Sequence, residues 1–301
     1  MNGLAAFVMR GPVQAASVAA AGLLLGYVVP PFAWLSAAVV ALVALRLGDG
    51  PLLRMGLPAL AVIALAGGLV WGRPGVALLG ALATWAPPVL VARMLRRRSR
   101  LDDALLLACA IGWVVVGGIH AAVPDPAVMW HELLTTALQP ERMAAEMQVA
   151  PESLTGLIDR MAPLMTGMVA ASVAFSAVTS VLLARWWQSR LDGPGAFGRE
   201  FRALRLGRVA AGITAALALA AAATPPALLD GLALVAVSVY VFQGLAVMHG
   251  VVARRGMGKG WLAAVYVLAI LLPLQVMIGL TLVGAVDAWA DFRGRAGSGP
   301  S

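Results

Sequence analysis

Three histidines, His120, His131 and His249, one cysteine, Cys109, and 14 carboxylates are the whole stock of this sequence for metal, acid–base or nucleophilic chemistry. The histidines stand far apart and lack metal-ligand spacing, and His131-Glu132 is a single adjacent pair. The chain has no His-Glu-x-x-His, no Gly-x-Ser-x-Gly and no Walker lysine. A lone cysteine excludes an internal disulfide and a cysteine metal site, and Cys109 reads as a small packing residue. No catalytic set, metal site or cofactor is therefore expected, and the chain is read as a non-enzyme.

The remaining candidates are polar or helix-breaking positions inside apolar runs. Pro87-Pro88, just after Trp85, removes helix donors and predicts a kink, which can line a binding site or be purely structural. Ser172, Ser176 and Ser180 stand four apart on one helix face, where hydroxyls serve close packing or line a polar cavity. Met161, Met165 and Met168 make a softer stripe just before them. Tyr240 and Gln243, three apart, share a face and could bond a neighbouring helix or a ligand. Gln14 and Gln275 are further polar candidates, and no run carries a central acidic residue of the kind that marks an ion pathway. In a basic stretch, Phe197, Phe201 and Leu204 recur at helical spacing, with Arg199, Arg202 and Arg205 largely on the other faces. Such a helix would lie with its rings in the acyl boundary and its arginines on anionic lipid or on a cytoplasmic protein partner.

The elements that must position these residues are membrane helices. Of 301 residues, 61% are hydrophobic and 12% charged, against roughly 45–50% and 25% in soluble domains. The apolar runs show no polar alternation, so the fold class is all-α, a polytopic transmembrane helix bundle rather than a barrel. Nine spans are predicted, at 12–29, 32–48, 52–71, 75–95, 102–123, 159–186, 208–224, 228–252 and 261–284. The breakers between them are Pro30-Pro31, Gly48-Asp49-Gly50-Pro51, Arg73-Pro74, Pro124-Asp125-Pro126, Gly193-Pro194-Gly195 and Pro225-Pro226. The last run, which contains Pro273, is read as one kinked helix, and the first as a retained anchor rather than a cleaved leader.

The net charge of +8 suits nucleic acid until its location is considered. The basic residues, all Arg except Lys259, sit in short loops that alternate onto one side. By the positive-inside rule that side is the cytoplasm, with the N-terminus there, in a bacterial inner (plasma) membrane. Nine spans then leave the far end of the chain outside. The expected organisation is a single membrane domain, 1–301, with an acidic extracytoplasmic amphipathic segment at 124–158 and a basic cytoplasmic loop at 187–207. In the outer segment Asp125 should cap a helix started by Pro126, and a second helix should begin near Pro151 and run into the sixth span. The partners expected are the lipid bilayer and a cytoplasmic protein, with no nucleic acid.

Three stretches carry a family resemblance: Gly193 to Leu206 (GPGAFGREFRALRL), Val241 to Gly250 (VFQGLAVMHG) and Gly284 to Arg293 (GAVDAWADFR). In these the chain resembles the YybS-like integral membrane proteins of bacteria, a family that brings no assigned chemistry with it. More loosely, the first half resembles the substrate-binding subunits of energy-coupling-factor vitamin transporters. That likeness rests on the tight turn at Val28-Val29-Pro30-Pro31, the small-residue spans and the basic end of the fourth span. It implies a small-molecule-binding or transport subunit. The alternatives are a non-transporting scaffold that docks a partner through its basic loops, or a lipid-handling enzyme or flippase with a lateral opening near His120 or His249.

Overall fold

The computed structural model describes residues 2–223, 227–258 and 260–295, so Pro225-Pro226 and Lys259 lie outside the described residues. Among the described residues every regular element is helical. A short α1 (Asn2–Val8) leads into α2 (Pro12–Gly26), α3 (Pro31–Arg46), α4 (Asp49–Trp71), α5 (Pro74–Arg98) and α6 (Leu101–Ala122). Next come α7 (Pro126–Leu138), α8 (Pro140–Met147) and α9 (Pro151–Met161), and a 3-10 turn joins them to α10 (Met165–Asp192). The chain continues with α11 (Ala196–Ala203), α12 (Arg208–Ala223), α13 (Ala227–Arg254), α14 (Gly260–Leu271), α15 (Pro273–Ala290) and α16 (Phe292–Arg295).

The predicted breakers at Pro31, Pro74 and Pro126 start α3, α5 and α7. Proline occupies the first turn of α2, α3, α5, α7, α8, α9 and α15. There its missing N–H is one that no helix would have used. The Asp125 side chain accepts from the Val128 N–H at 3.2 Å and caps α7 as the sequence implies.

Small residues set the packing. In α3 every residue from Ser36 to Leu45 is buried, and the helix touches α2, α5 and α10. Alanine faces of this kind let backbones approach closely, which is how helices associate where lipid removes the hydrophobic drive between them. The outer faces are the reverse: Leu53, Leu57, Leu65 and Leu69 of α4 are 59–78% exposed. In hydrocarbon that surface is solvated and needs no cover.

Among the described residues, six segments are long and apolar enough to cross a bilayer: α4, α5, α6, the continuous 42-residue run of α9 and α10, α13 and α15. A seventh is reached if α11 and α12, bent by 58°, count as one broken span. Each of the nine expected spans coincides with helix, but helix length does not confirm nine. The 15 residues of α2 rise ~22 Å and the 12 of α14 ~18 Å, short of a hydrocarbon core of about 30 Å.

Ion pairs gather the basic loops at one end. Arg46 reaches Asp192 at 2.8 Å, Arg93 reaches Asp49 at 2.7 Å and Arg98 approaches Asp103 at 3.7 Å. Helices α7, α8 and α9 cap the opposite end, where Trp130 Nε1 donates to Thr166 Oγ1 at 2.8 Å. The expected single kinked helix at 261–284 is instead broken at Leu272, whose φ of −133° and ψ of 62° are not helical. After this break α15 runs parallel to α13. Thr281 Oγ1 donates to Val237 O at 3.1 Å, Gly284 lies on Tyr240 and Gly244, and Arg293 lies on Gly250. Residues 255–292 thus leave the basic end and return to it, and the expectation of a far end outside does not hold for Arg293. The two helices touch through glycine: a Cβ on Gly284 would stand 2.7 Å from Gly244 N, so only a bare backbone fits.

Candidate functional site

The three stretches that carried the resemblance are distant in sequence, and the fold brings them together at the basic end. Gln243, 1% exposed on α13, is the junction. Its Oε1 accepts from the Leu206 N–H at 2.8 Å, and its Nε2 donates to Gly284 O at 2.6 Å. One side-chain amide thereby ties the α11–α12 linker and α15 to α13. Leu206 N, in the non-helical linker, would otherwise be unpaired inside the bundle, a costly state in a low dielectric.

Beside it lies a fully buried ion pair. Arg293 and Asp287 meet at 2.7 Å with side chains 2% and 1% exposed. Arg293 Nη1 also donates to Arg202 O at 2.9 Å and Leu204 O at 2.8 Å, and the Arg254 guanidinium donates to Arg293 O. Asp291 at φ 45° ends α15 and folds Arg293 back onto Asp287. The fork geometry of guanidinium, with several donors in one plane, is what lets a single side chain hold three elements. The sequence reading missed this pair because Asp287 sat at a span end and Arg293 beyond it. The signal was present in the Asp287–Asp291–Arg293 spacing of the third stretch.

This lock holds α11 against α10 and α13. Phe197 and Phe201 do not lie in the acyl boundary as expected. They stack at 5.8 Å between centroids and pack on the bundle, with Phe201 edge-on to His249 at 5.6 Å. His249 in turn meets Tyr266 of α14 at 6.0 Å. Its Nδ1 is 2.9 Å from Leu245 O, which can only accept, so Nδ1 carries the proton and Nε2 offers a lone pair toward the Tyr266 hydroxyl at 3.4 Å. These residues bound a half-open cleft of about 270 Å³ between α10, α11, α13 and α14. Arg202 stands at its rim, and Thr179 of α10 lines its wall with a buried hydroxyl that has no hydrogen-bond partner.

The other candidate positions are distributed otherwise. Trp85 is buried and donates to Ser36 Oγ at 2.9 Å, which donates to Ala19 O at 2.6 Å, a relay that joins α5, α3 and α2. Pro87 and Pro88 lie within the unbroken α5, Pro88 being buried. Ser172 is exposed and bonds Val169 O of its own helix at 2.7 Å, Ser176 is half-buried, and Ser180 reaches Trp34 O of α3 at 3.3 Å. Tyr240 is buried beside Thr214 and Cys109, its hydroxyl without a well-formed hydrogen bond. Arg205 is pinned to the bundle by Asp291 and by its own N–H on Asp102. Arg199 and Arg202 are exposed and have no acidic partner among the described residues.

No curated protein and no solved structure matches this chain. A family model described as predicted membrane protein (DUF2232) matches residues 130–288, which include α10 to α13, nearly all of α15 and every cleft residue named above. This match carries neither the YybS-like name nor the likeness to vitamin-transporter subunits. It covers more than half of the sequence, and the chain therefore belongs to the DUF2232 family of membrane proteins.

Proposed function

We propose that this chain is a small-molecule-binding protein of the bacterial inner membrane, with its N-terminus in the cytoplasm and its site in the cleft between α10, α11, α13 and α14. The observation that carries the reading is the convergence there of an unsatisfied Thr179 hydroxyl, the His249–Tyr266 pair and the Arg202 guanidinium on an apolar recess. Ligand sites are mostly apolar recesses with a few converging polar groups. A recess of about 410 Å³ between α2 and α4 has mainly Ala, Val and Pro walls. Clustering of the arginine loops at one end supports the cytoplasmic assignment.

Binding is favoured over ion-coupled carriage. The buried carboxylate near this site, Asp287, is already held by Arg293 rather than open to a coupling ion. The test is mass spectrometry of the small molecules retained after purification in mild detergent. Wild type should keep a species that Leu245→Trp, which fills the cleft, loses. Identical inventories would overturn the reading.

The scaffold reading keeps one observation in its favour: Arg199 is exposed, does not line the cleft and has no acidic partner among the described residues. Its test is co-purification of a cytoplasmic protein that disappears in Arg199→Ala.

A further inference from the structure

Resting on that reading, we propose that the cleft takes a membrane amphiphile with an anionic phosphate head, its head at Arg202 and its chain leaving sideways between α11 and α14. Three observations select this chemistry.

Charge is the first. The arginines around α11 are mostly neutralised: Arg185 by Glu200 at 2.9 Å, Arg205 by Asp291 and Arg293 by Asp287. Arg202, at the rim, is not, and the only carboxylate on α11, Glu200, is the one held by Arg185. A cation left uncompensated beside an apolar recess attracts an anion, and guanidinium matches phosphate oxygens two at a time. Thr179 adds a hydroxyl donor for a remaining oxygen.

Shape is the second. At about 270 Å³ the recess falls just below the roughly 300–1,000 Å³ of pockets that enclose a whole ligand. It suits a head and the first part of a chain, with the rest outside. The third is the exit. Helix α14 has no buried residue, and Tyr266, Val267 and Ile270 are 47–80% exposed. A chain passing this wall stays in hydrocarbon, and Tyr266 is an amphipathic aromatic of the kind that suits the headgroup zone.

The experiment is calorimetric titration of the full chain in maltoside micelles with dioctanoyl phosphatidic acid, with dioctanoyl phosphatidylcholine, octanoate and inorganic phosphate as the comparison probes. Phosphatidic acid should bind most tightly and inorganic phosphate not measurably. Arg202→Gln should weaken phosphatidic acid by at least about tenfold, the worth of one charged hydrogen-bonding partner. That variant keeps the backbone carbonyl on which Arg293 depends, so it should fold, and unfolding followed at Cys109 checks this. Thr179→Val should weaken binding several-fold. Equal affinity for phosphatidylcholine or octanoate, binding of phosphate alone, or an unchanged Arg202→Gln would each overturn the proposal. If those failures occur while Leu245→Trp still abolishes lipid binding, the cleft stands as a site and only the phosphate head is wrong. If Leu245→Trp binds like wild type, the cleft itself is not the site.

Discussion

Removing the Asp287 carboxylate should be among the most damaging single changes in this protein. Arg293 is 2% exposed and has three hydrogen bonds, one to Asp287 and two to the carbonyls of Arg202 and Leu204. In Asp287→Ala the guanidinium keeps the two carbonyls but loses the buried counter-charge bonded to it. Breaking a buried pair from one side costs about 3–5 kcal/mol. Arg293→Met should cost at least as much, because it strands the carboxylate and also both carbonyls, each stranded group adding about 1–3 kcal/mol. The double variant removes both charges together and should cost less than the sum of the singles, with a coupling of up to about 3 kcal/mol. Cys109 supplies the assay. It is the sole cysteine, 8% exposed, so a thiol-reactive fluorophore reports unfolding during a denaturant titration in mixed micelles. Two strictly additive singles, or an Asp287→Ala within about 0.5 kcal/mol of wild type, would show that the pair is not desolvated and refute the reasoning.

Other perturbations test neighbouring parts of the argument. Gln243→Leu strands Leu206 N, removes the cross-helix bond to Gly284 O and should destabilise by roughly 1–3 kcal/mol. Gln243→Glu should be worse, since it turns a carboxylate on Gly284 O, and a denaturation midpoint equal to wild type in either would contradict the described bonds. Asp291, beyond α15, is held below its ordinary 3.8, first by the Gly294 N–H and then by Arg205. A depressed carboxyl stabilises fully above its unfolded value and loses that contribution as pH falls through the folded one. Arg205→Gln should therefore melt earlier than wild type at neutral pH and match it in acid well below 3.8; a gap that persists in acid argues against the carboxylate as the partner. In a Cys109→Ser background, Gly294→Cys and Arg199→Cys should label with an impermeant thiol reagent from one side of sealed vesicles, and Gln148→Cys from the other. Labelling of Gly294→Cys together with Gln148→Cys would sink the returning α15.

The helices were legible because proline and glycine breakers act locally. Pro12, Pro31, Pro74, Pro126 and Pro151 each open a helix where their missing N–H predicts. The direction of the last segment was not, because an apolar run reads the same up or down the bilayer. Pro273 announces a break, but the backbone angles at Leu272 decide between kink and return, and those depend on Gly284 docking on Gly244. The cleft was half legible. Tyr240 and Gln243 share a face as their spacing implies, yet Gln243 bonds two other elements and Tyr240 faces Thr214. Of the three arginines singled out on the basic loop, Arg205 serves the fold. What a side chain meets across a bundle is set by helix packing, which periodicity within one helix does not encode.

Parallel α13 and α15 also bear on how the chain is made. A stretch that enters the bilayer and leaves it by the same surface has no hydrophilic loop for the insertion machinery to carry across, because only Leu272 separates its two arms. It can be tucked in after the preceding helices are seated, and Arg293, arriving last, latches onto carbonyls that synthesis has already put in place. Ribosomes that stall before Arg293 is made should then leave a bundle whose strap hangs loose, open to proteases that reach the basic end.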